Sequence, residues 1–134
     1  MVPPGRRFPG PRPLIRSIGY VPTGAQVPTE DAYVRRFWAA VLGTAALEDL
    51  LRMSAAAQTG RRIRRPTHLH VLIEERLVCP VAPTGYLVPT RMPLLDRTRV
   101  RRLVPAERLR HIEAVLGMGA PTPSYIVEGE APNA

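Results

Sequence analysis

The sequence has no lysine, one cysteine, two phenylalanines and one tryptophan among its 134 residues. A lone thiol, Cys79, rules out an internal disulfide. Set between Val78 and Pro80, it reads as a small core residue rather than a nucleophile. No apolar run approaches the roughly 18 residues that span a bilayer. The opening Met1-Val2-Pro3-Pro4-Gly5-Arg6-Arg7 lacks the apolar stretch of a secretory signal. A cytoplasmic protein with no membrane association is the expectation. Catalytic patterns are missing too. There is no G-x-x-x-x-G-K phosphate loop and no serine in a strand-to-helix glycine turn. The adjacent Glu74 and Glu75 point apart on either helix or strand, so they make no acid–base pair. The chain is expected to be no enzyme and to need no cofactor.

What the sequence does have is arginine. All nineteen basic residues are Arg, set against eleven acids, for a net charge of +8 and a pI near 11.1. A guanidinium forks onto phosphate better than an ammonium does. Such a balance points to nucleic acid, an anionic surface or an acidic protein as partner. The charge is unevenly spread: +4 over residues 1–29, −1 over 30–60, +8 over 61–110 and −3 over 111–134. Two runs dominate the basic segment, Arg61-Arg62-Ile63-Arg64-Arg65 and Arg97-Thr98-Arg99-Val100-Arg101-Arg102.

Composition divides the chain in three. Residues 1–29 hold seven of the sixteen prolines and no acid, which reads as a Pro/Arg-rich flexible arm. Residues 30–116 read as the folded domain. Residues 117–134 carry no base and read as an acidic flexible tail. Within the domain, Thr29 is a good N-cap, and Tyr33, Val34, Phe37, Trp38, Val41 and Leu42 share a helical face. Gly43-Thr44 ends that helix and opens a second through Leu47, Leu50, Leu51 and Ser54 to about Gln58; one kinked helix is the alternative. The Ala55-Ala56-Ala57 end of it calls for a close neighbour. Segment 66–78 fits either a strand, with Leu69, Val71 and Ile73 alternating, or a helix with Leu69, Leu72, Ile73 and Leu77 on one face. The stripe that continues to Leu77 favours the helix, with Thr67 as N-cap. Val78–Val81 and Tyr86–Val88 around Ala82-Pro83-Thr84-Gly85 predict a β-hairpin. Pro105 opens a last helix, with Leu109, Ile112 and Leu116 on its inner face.

His68 and His70 share a face only on a strand; on a helix they diverge, and Cys79 and His111 would have to fold in to complete a ligand set. No metal site is expected.

Three helices followed by a hairpin is the order of a winged helix-turn-helix domain. Leu72-Ile73-Glu74-Glu75-Arg76-Leu77-Val78 resembles the L-x-E-x-G-L-V end of a winged-helix third helix, with Arg76 standing where that pattern has glycine. Phe37-Trp38, Val41-Leu42-Gly43, Leu50-Leu51-Arg52, Arg91-Met92-Pro93-Leu94-Leu95 and Arg101-Arg102-Leu103 resemble a group of small proteins of high-GC Gram-positive bacteria that also has a winged-helix core. Over about residues 31–116 the resemblance implies an α+β, winged helix-turn-helix-like fold of three or four helices and a small hairpin.

If the stripe of the third helix faces inward, Val71, Glu74 and Glu75 face outward, a poor reader of bases. The arginines at its flanks suit phosphate contacts, which position a protein without specifying sequence. The leading expectation is a nucleic-acid-associated or regulatory protein gripping backbone through Arg61, Arg62, Arg64 and Arg65, helped by Arg99, Arg101 and Arg102. The alternative is a structural or adaptor subunit of a multi-protein assembly, for example phage or plasmid encoded.

Overall fold

Proline spacing sets the first element. Pro13 and Pro22 bracket the proline-free run Leu14–Val21, and β1 (Leu14–Tyr20) fills it. Ile15 and Ser17 are buried while Leu14, Arg16 and Ile18 face out, the alternation of a half-buried strand. This corrects the reading of residues 1–29 as one flexible arm: the prolines here punctuate strands rather than prevent them, and β2 (Gln26–Pro28) follows. The computed structural model describes residues 12–118, so the rest of the arm and the tail beyond Met118 lie outside the described residues.

The chain is a mixed α+β protein of two compact units rather than the single 30–116 domain. The first takes the chain up to Val21 together with Glu48–Thr90; the second takes Pro22–Leu47 and the chain from Arg91 onward.

In the first unit, β1 lies inside a four-stranded sheet ordered β3-β1-β5-β4, where β3 is Ile63–Arg64, β4 Cys79–Ala82 and β5 Gly85–Pro89. β1 runs parallel to β5, with Ile18 opposite Leu87, and antiparallel to β3, with Leu14 opposite Arg64. The hairpin β4–β5 forms where expected, but Ala82 pairs with Gly85, so its loop is Pro83-Thr84 rather than the four residues 82–85; Pro80 sits on its edge strand, where no ladder bond is lost. Helix α2 (Thr44–Thr59) contributes Leu50, Met53, Ser54 and Ala56 to the core. Its alanine end does meet a close neighbour. A Cβ added to Gly19 of β1 would lie 3.7 Å from Ala57 Cβ and only 2.6 Å from Thr90 Cγ2, so glycine is required there.

Segment 66–78 is helical but short: α3 is Leu69–Glu74. Leu69, Leu72 and Leu77 are buried as the stripe implies. The helix stops early because Arg76 turns left-handed at φ 61, after which the amides of Leu77 and Val78 both reach the Leu72 carbonyl at 3.1 and 3.3 Å. The Tyr20 hydroxyl donates to the Leu77 carbonyl at 2.8 Å and fastens this turn to β1.

In the second unit, Asp31 rather than Thr29 caps the leading helix, accepting from the Tyr33 amide at 2.8 Å. A π-helical turn, Val34–Trp38, runs into α1 (Ala39–Leu42), and the Ala39 amide bonds the Val34 carbonyl. Tyr33, Val34, Phe37 and Trp38 are all buried. Gly43, at φ 87, separates α1 from the first turn of α2, so the two helices are distinct. Strand β6 (Arg91–Pro93) pairs antiparallel with β2. Short α4 (Arg97–Val100) and α5 (Pro105–Gly117, with Pro105 opening the helix) complete the unit.

The inner face of α5 differs from expectation. His111 and Val115 are buried, whereas Leu109 and Leu116 are exposed at 62 % and 53 %. Both sets have helical spacing, so periodicity alone does not choose between them. His111 wins because Tyr33 supplies a polar partner inside the core, at 2.5 Å from Nε2.

Candidate functional site

The first arginine run leaves the end of α2 and enters the sheet edge. Gly60, at φ 71, ends α2, and the Arg61 amide returns to the Ala56 carbonyl. Arg64 is then drawn into β3, its Nη1 donating to the Arg12 carbonyl at 3.0 Å, and the Arg65 amide donates to the Pro13 carbonyl at 2.9 Å. The backbone of this run is therefore held, and the side chains of Arg61, Arg62 and Arg65 stay in water while that of Arg64, though exposed, is bonded to the Arg12 carbonyl. Arg61, Arg62, Arg64 and Arg65 are all exposed. Among the described residues no carboxylate is bonded to Arg61, Arg62 or Arg65. Arg16 belongs with them, since it projects from β1 on the same sheet face as Leu14 and its partner Arg64. Sequence reasoning missed it by placing residues 1–29 in an arm; the alternation over Leu14–Tyr20 was the signal.

The second run behaves differently. Asp96 caps α4, accepting from the Arg99 amide at 2.9 Å, and its other oxygen takes the Arg99 guanidinium at 3.1 Å. That guanidinium also lies over the Trp38 ring, 5.0 Å from its centroid, and its side chain is only 17 % exposed. Trp38 is itself pinned by its indole N–H to the Pro93 carbonyl at 2.8 Å. Arg102 donates to the Val41 carbonyl at 3.1 Å. Arg101 is exposed, although its carbonyl accepts from Arg108 at 2.9 Å. Two of the three helpers expected from this run, Arg99 and Arg102, thus have guanidinium groups engaged by the fold.

The remaining candidates have structural partners. His68 places both its amide and Nδ1 on Asp49 Oδ2, each at 3.0 Å, and Asp49 also pairs with Arg52. His70 lies on α3, so the strand on which both imidazoles would share a face does not form. No group of three or more His, Cys, Asp or Glu converges for a metal among the described residues. Cys79 is exposed, correcting its reading as a core residue: it begins an edge strand whose four residues all face solvent.

His111 is the one strongly perturbed histidine among the described residues. The Tyr33 oxygen accepts from the Leu95 amide at 2.7 Å and shares a hydrogen bond with His111 Nε2. Phe37 meets the imidazole edge-on at 5.0 Å. Burial pushes the imidazole down to about 4, so it is neutral at pH 7. Outside this core, Arg36 forks onto Glu107 at 2.8 and 3.1 Å, and that bond holds the carboxyl below its usual range.

No helix among the described residues is long and apolar enough to cross a membrane. No protein-family model, no curated protein and no solved structure matches the chain.

Proposed function

We propose that this is a non-enzymatic nucleic-acid-associated or regulatory protein that grips phosphate backbone through Arg61, Arg62, Arg64 and Arg65, with little base preference. The observation that carries the reading is the exposure of this run on a backbone already held, the Arg61 amide by the Ala56 carbonyl and the Arg65 amide by the Pro13 carbonyl. Ordering the backbone beforehand lowers the entropic cost of meeting a polyanion. Arg16 joins the grip from β1. In the second run Arg101 is exposed, whereas Arg99 is held against Asp96 and Trp38 and the guanidinium of Arg102, though exposed, is bonded to the Val41 carbonyl.

The winged-helix part of the reading is supported by α3 leading straight into the β4–β5 hairpin. It is also supported by the left-handed Arg76 at the position where the L-x-E-x-G-L-V pattern has glycine. The parallel strand β1 is an addition to that pattern, and β3 separates α2 from α3. A helix of six residues that turns Glu74 to solvent is a weak reader of base edges, so phosphate contacts carry the affinity.

The test is binding to random duplex DNA across a salt series. Affinity should fall steeply with salt, by roughly 0.9 in the log–log slope per phosphate contacted. Replacing Arg61, Arg62 and Arg65 with Ala should flatten that slope. Absent or salt-independent binding at low ionic strength would reject the reading. A second reading, a structural or adaptor subunit of a multi-protein assembly, is favoured by the exposed Leu14, Ile18 and Val81 on the sheet of the first unit.

A further inference from the structure

The sheet of the first unit has one covered face and one open face. Ile15, Ser17 and Gly19 of β1 alternate onto the covered side, where Gly19 approaches Ala57 of α2. Leu14, Arg16 and Ile18 alternate onto the other side. The register extends that open face across the strands. Leu14 lies opposite Arg64 of β3, Ile18 opposite Leu87 of β5, and Leu87 opposite Cys79 of β4. A Cβ added to Gly85, the partner of Arg16, would lie 3.9 Å from both the Ile18 and the Val81 side chains, so the two converge over the glycine.

This face combines two chemistries. Leu14, Ile18 and Val81 are exposed apolar groups. Arg16 and Arg64 stand among them, also exposed, and the four strands contain no acid. Arg64 keeps its bond to the Arg12 carbonyl, and among the described residues no carboxylate is bonded to Arg16 or Arg64. Through β3 the face is continuous with the Arg61–Arg65 run. Duplex nucleic acid matches only half of this. Its phosphates would meet the guanidinium groups, but its bases are stacked inside and leave the apolar side chains nothing to cover. An unpaired strand offers both, a charged backbone and bare base faces. Guanidinium planes themselves stack on such bases.

We propose that the polyanion is single-stranded nucleic acid, with phosphates on Arg16, Arg64 and the Arg61–Arg65 run and unpaired bases laid against Leu14, Ile18 and Val81. The inference deepens the phosphate-grip reading and rests on it. Base faces are alike in being flat and apolar, which agrees with little base preference.

The test compares mixed-sequence single strands of about 12 nucleotides, as DNA and as RNA, with a DNA duplex of the same sequence at low and moderate salt. Single strands should bind more tightly, and the duplex weakly but measurably at low salt. Ile18→Ser/Val81→Ser should weaken single-strand binding about tenfold and leave duplex binding unchanged. Both residues are exposed, so the fold survives, which circular dichroism verifies. Ile18→Tyr adds an aromatic face at the same place and should tighten single-strand binding, a gain that a folding defect cannot produce. A preference for either sugar supports the proposal, and the tighter arm tells RNA from DNA. Duplex bound as tightly as single strands, or single-strand binding unchanged in both variants, would overturn the proposal and leave the phosphate grip standing, with the apolar face assigned to a protein partner. No binding of any strand at low salt would overturn both.

Discussion

The two arginine runs are nearly alike as sequence and unlike as structure. Arg61–Arg65 is held by its backbone, through the end of α2 and β3, and the side chains of Arg61, Arg62 and Arg65 are left in solvent. Arg97–Arg102 is held by its side chains: Arg99 clamps Asp96 and Trp38, and Arg102 clamps Val41. A basic run becomes a binding surface only where something other than its charges fixes it. The contrast also predicts where damage will fall. Changes to the first run should alter binding and spare stability, whereas changes to the second should do the reverse.

The largest effect should come from removing the platform of the second run. Trp38→Ala should destabilise by about 3–5 kcal/mol in denaturant unfolding, because a fully buried indole leaves a cavity. Acid comes next. His111 binds its proton at about 4 in the folded chain and near its ordinary value of about 6.5 when unfolded. Its contribution is fully present above the unfolded value and is lost as pH falls through that window toward 4, by about 3 kcal/mol in all. Unfolding curves between pH 7 and 4 should show that loss, and His111→Gln should flatten it. The first run should respond in binding alone. Arg61→Ala/Arg62→Ala/Arg65→Ala should cut the salt slope of DNA binding by roughly three, with an unchanged denaturation midpoint.

Arg99→Ala should give the mirror result, an unchanged salt slope with about 1 kcal/mol of stability lost along with the ring contact and ion pair. The smallest change should be a gain. Arg76→Gly relieves a left-handed side-chain conformation at an exposed site, and should stabilise by roughly 0.5–1 kcal/mol.

Local chemistry was readable in advance. Gly43 between helices, Pro105 at a helix start and the hairpin around Pro83-Thr84 each depend on a few neighbouring residues, and each came out where the turn signals put it. Long-range matters were not. β1 depends on partners at Ile63–Arg64 and Gly85–Pro89, so proline content outweighed a short alternation that only the sheet explains. The length of α3 turned on one residue, because an arginine can occupy a left-handed turn at modest cost and nothing in its identity announces it. Of the candidate site, the arginines' positions were legible but their roles were not, since Arg99 and Arg101 differ only in what lies beneath them.

The position of β1 also bears on how the chain acquires its shape. The strand leads the described sequence, yet one neighbour is Ile63–Arg64 and the other Gly85–Pro89. At about 5–20 residues per second, ribosomal synthesis would deliver β1 several seconds before β5. Until then β1 has only the two-residue β3 to join, and closing so long a loop makes the parallel pairing slow even in the complete chain. Refolding should therefore be limited by the arrival of β1 between its two partners, with α2 and the β4–β5 hairpin formed beforehand. The last step in building this sheet belongs to the earliest made of its four strands.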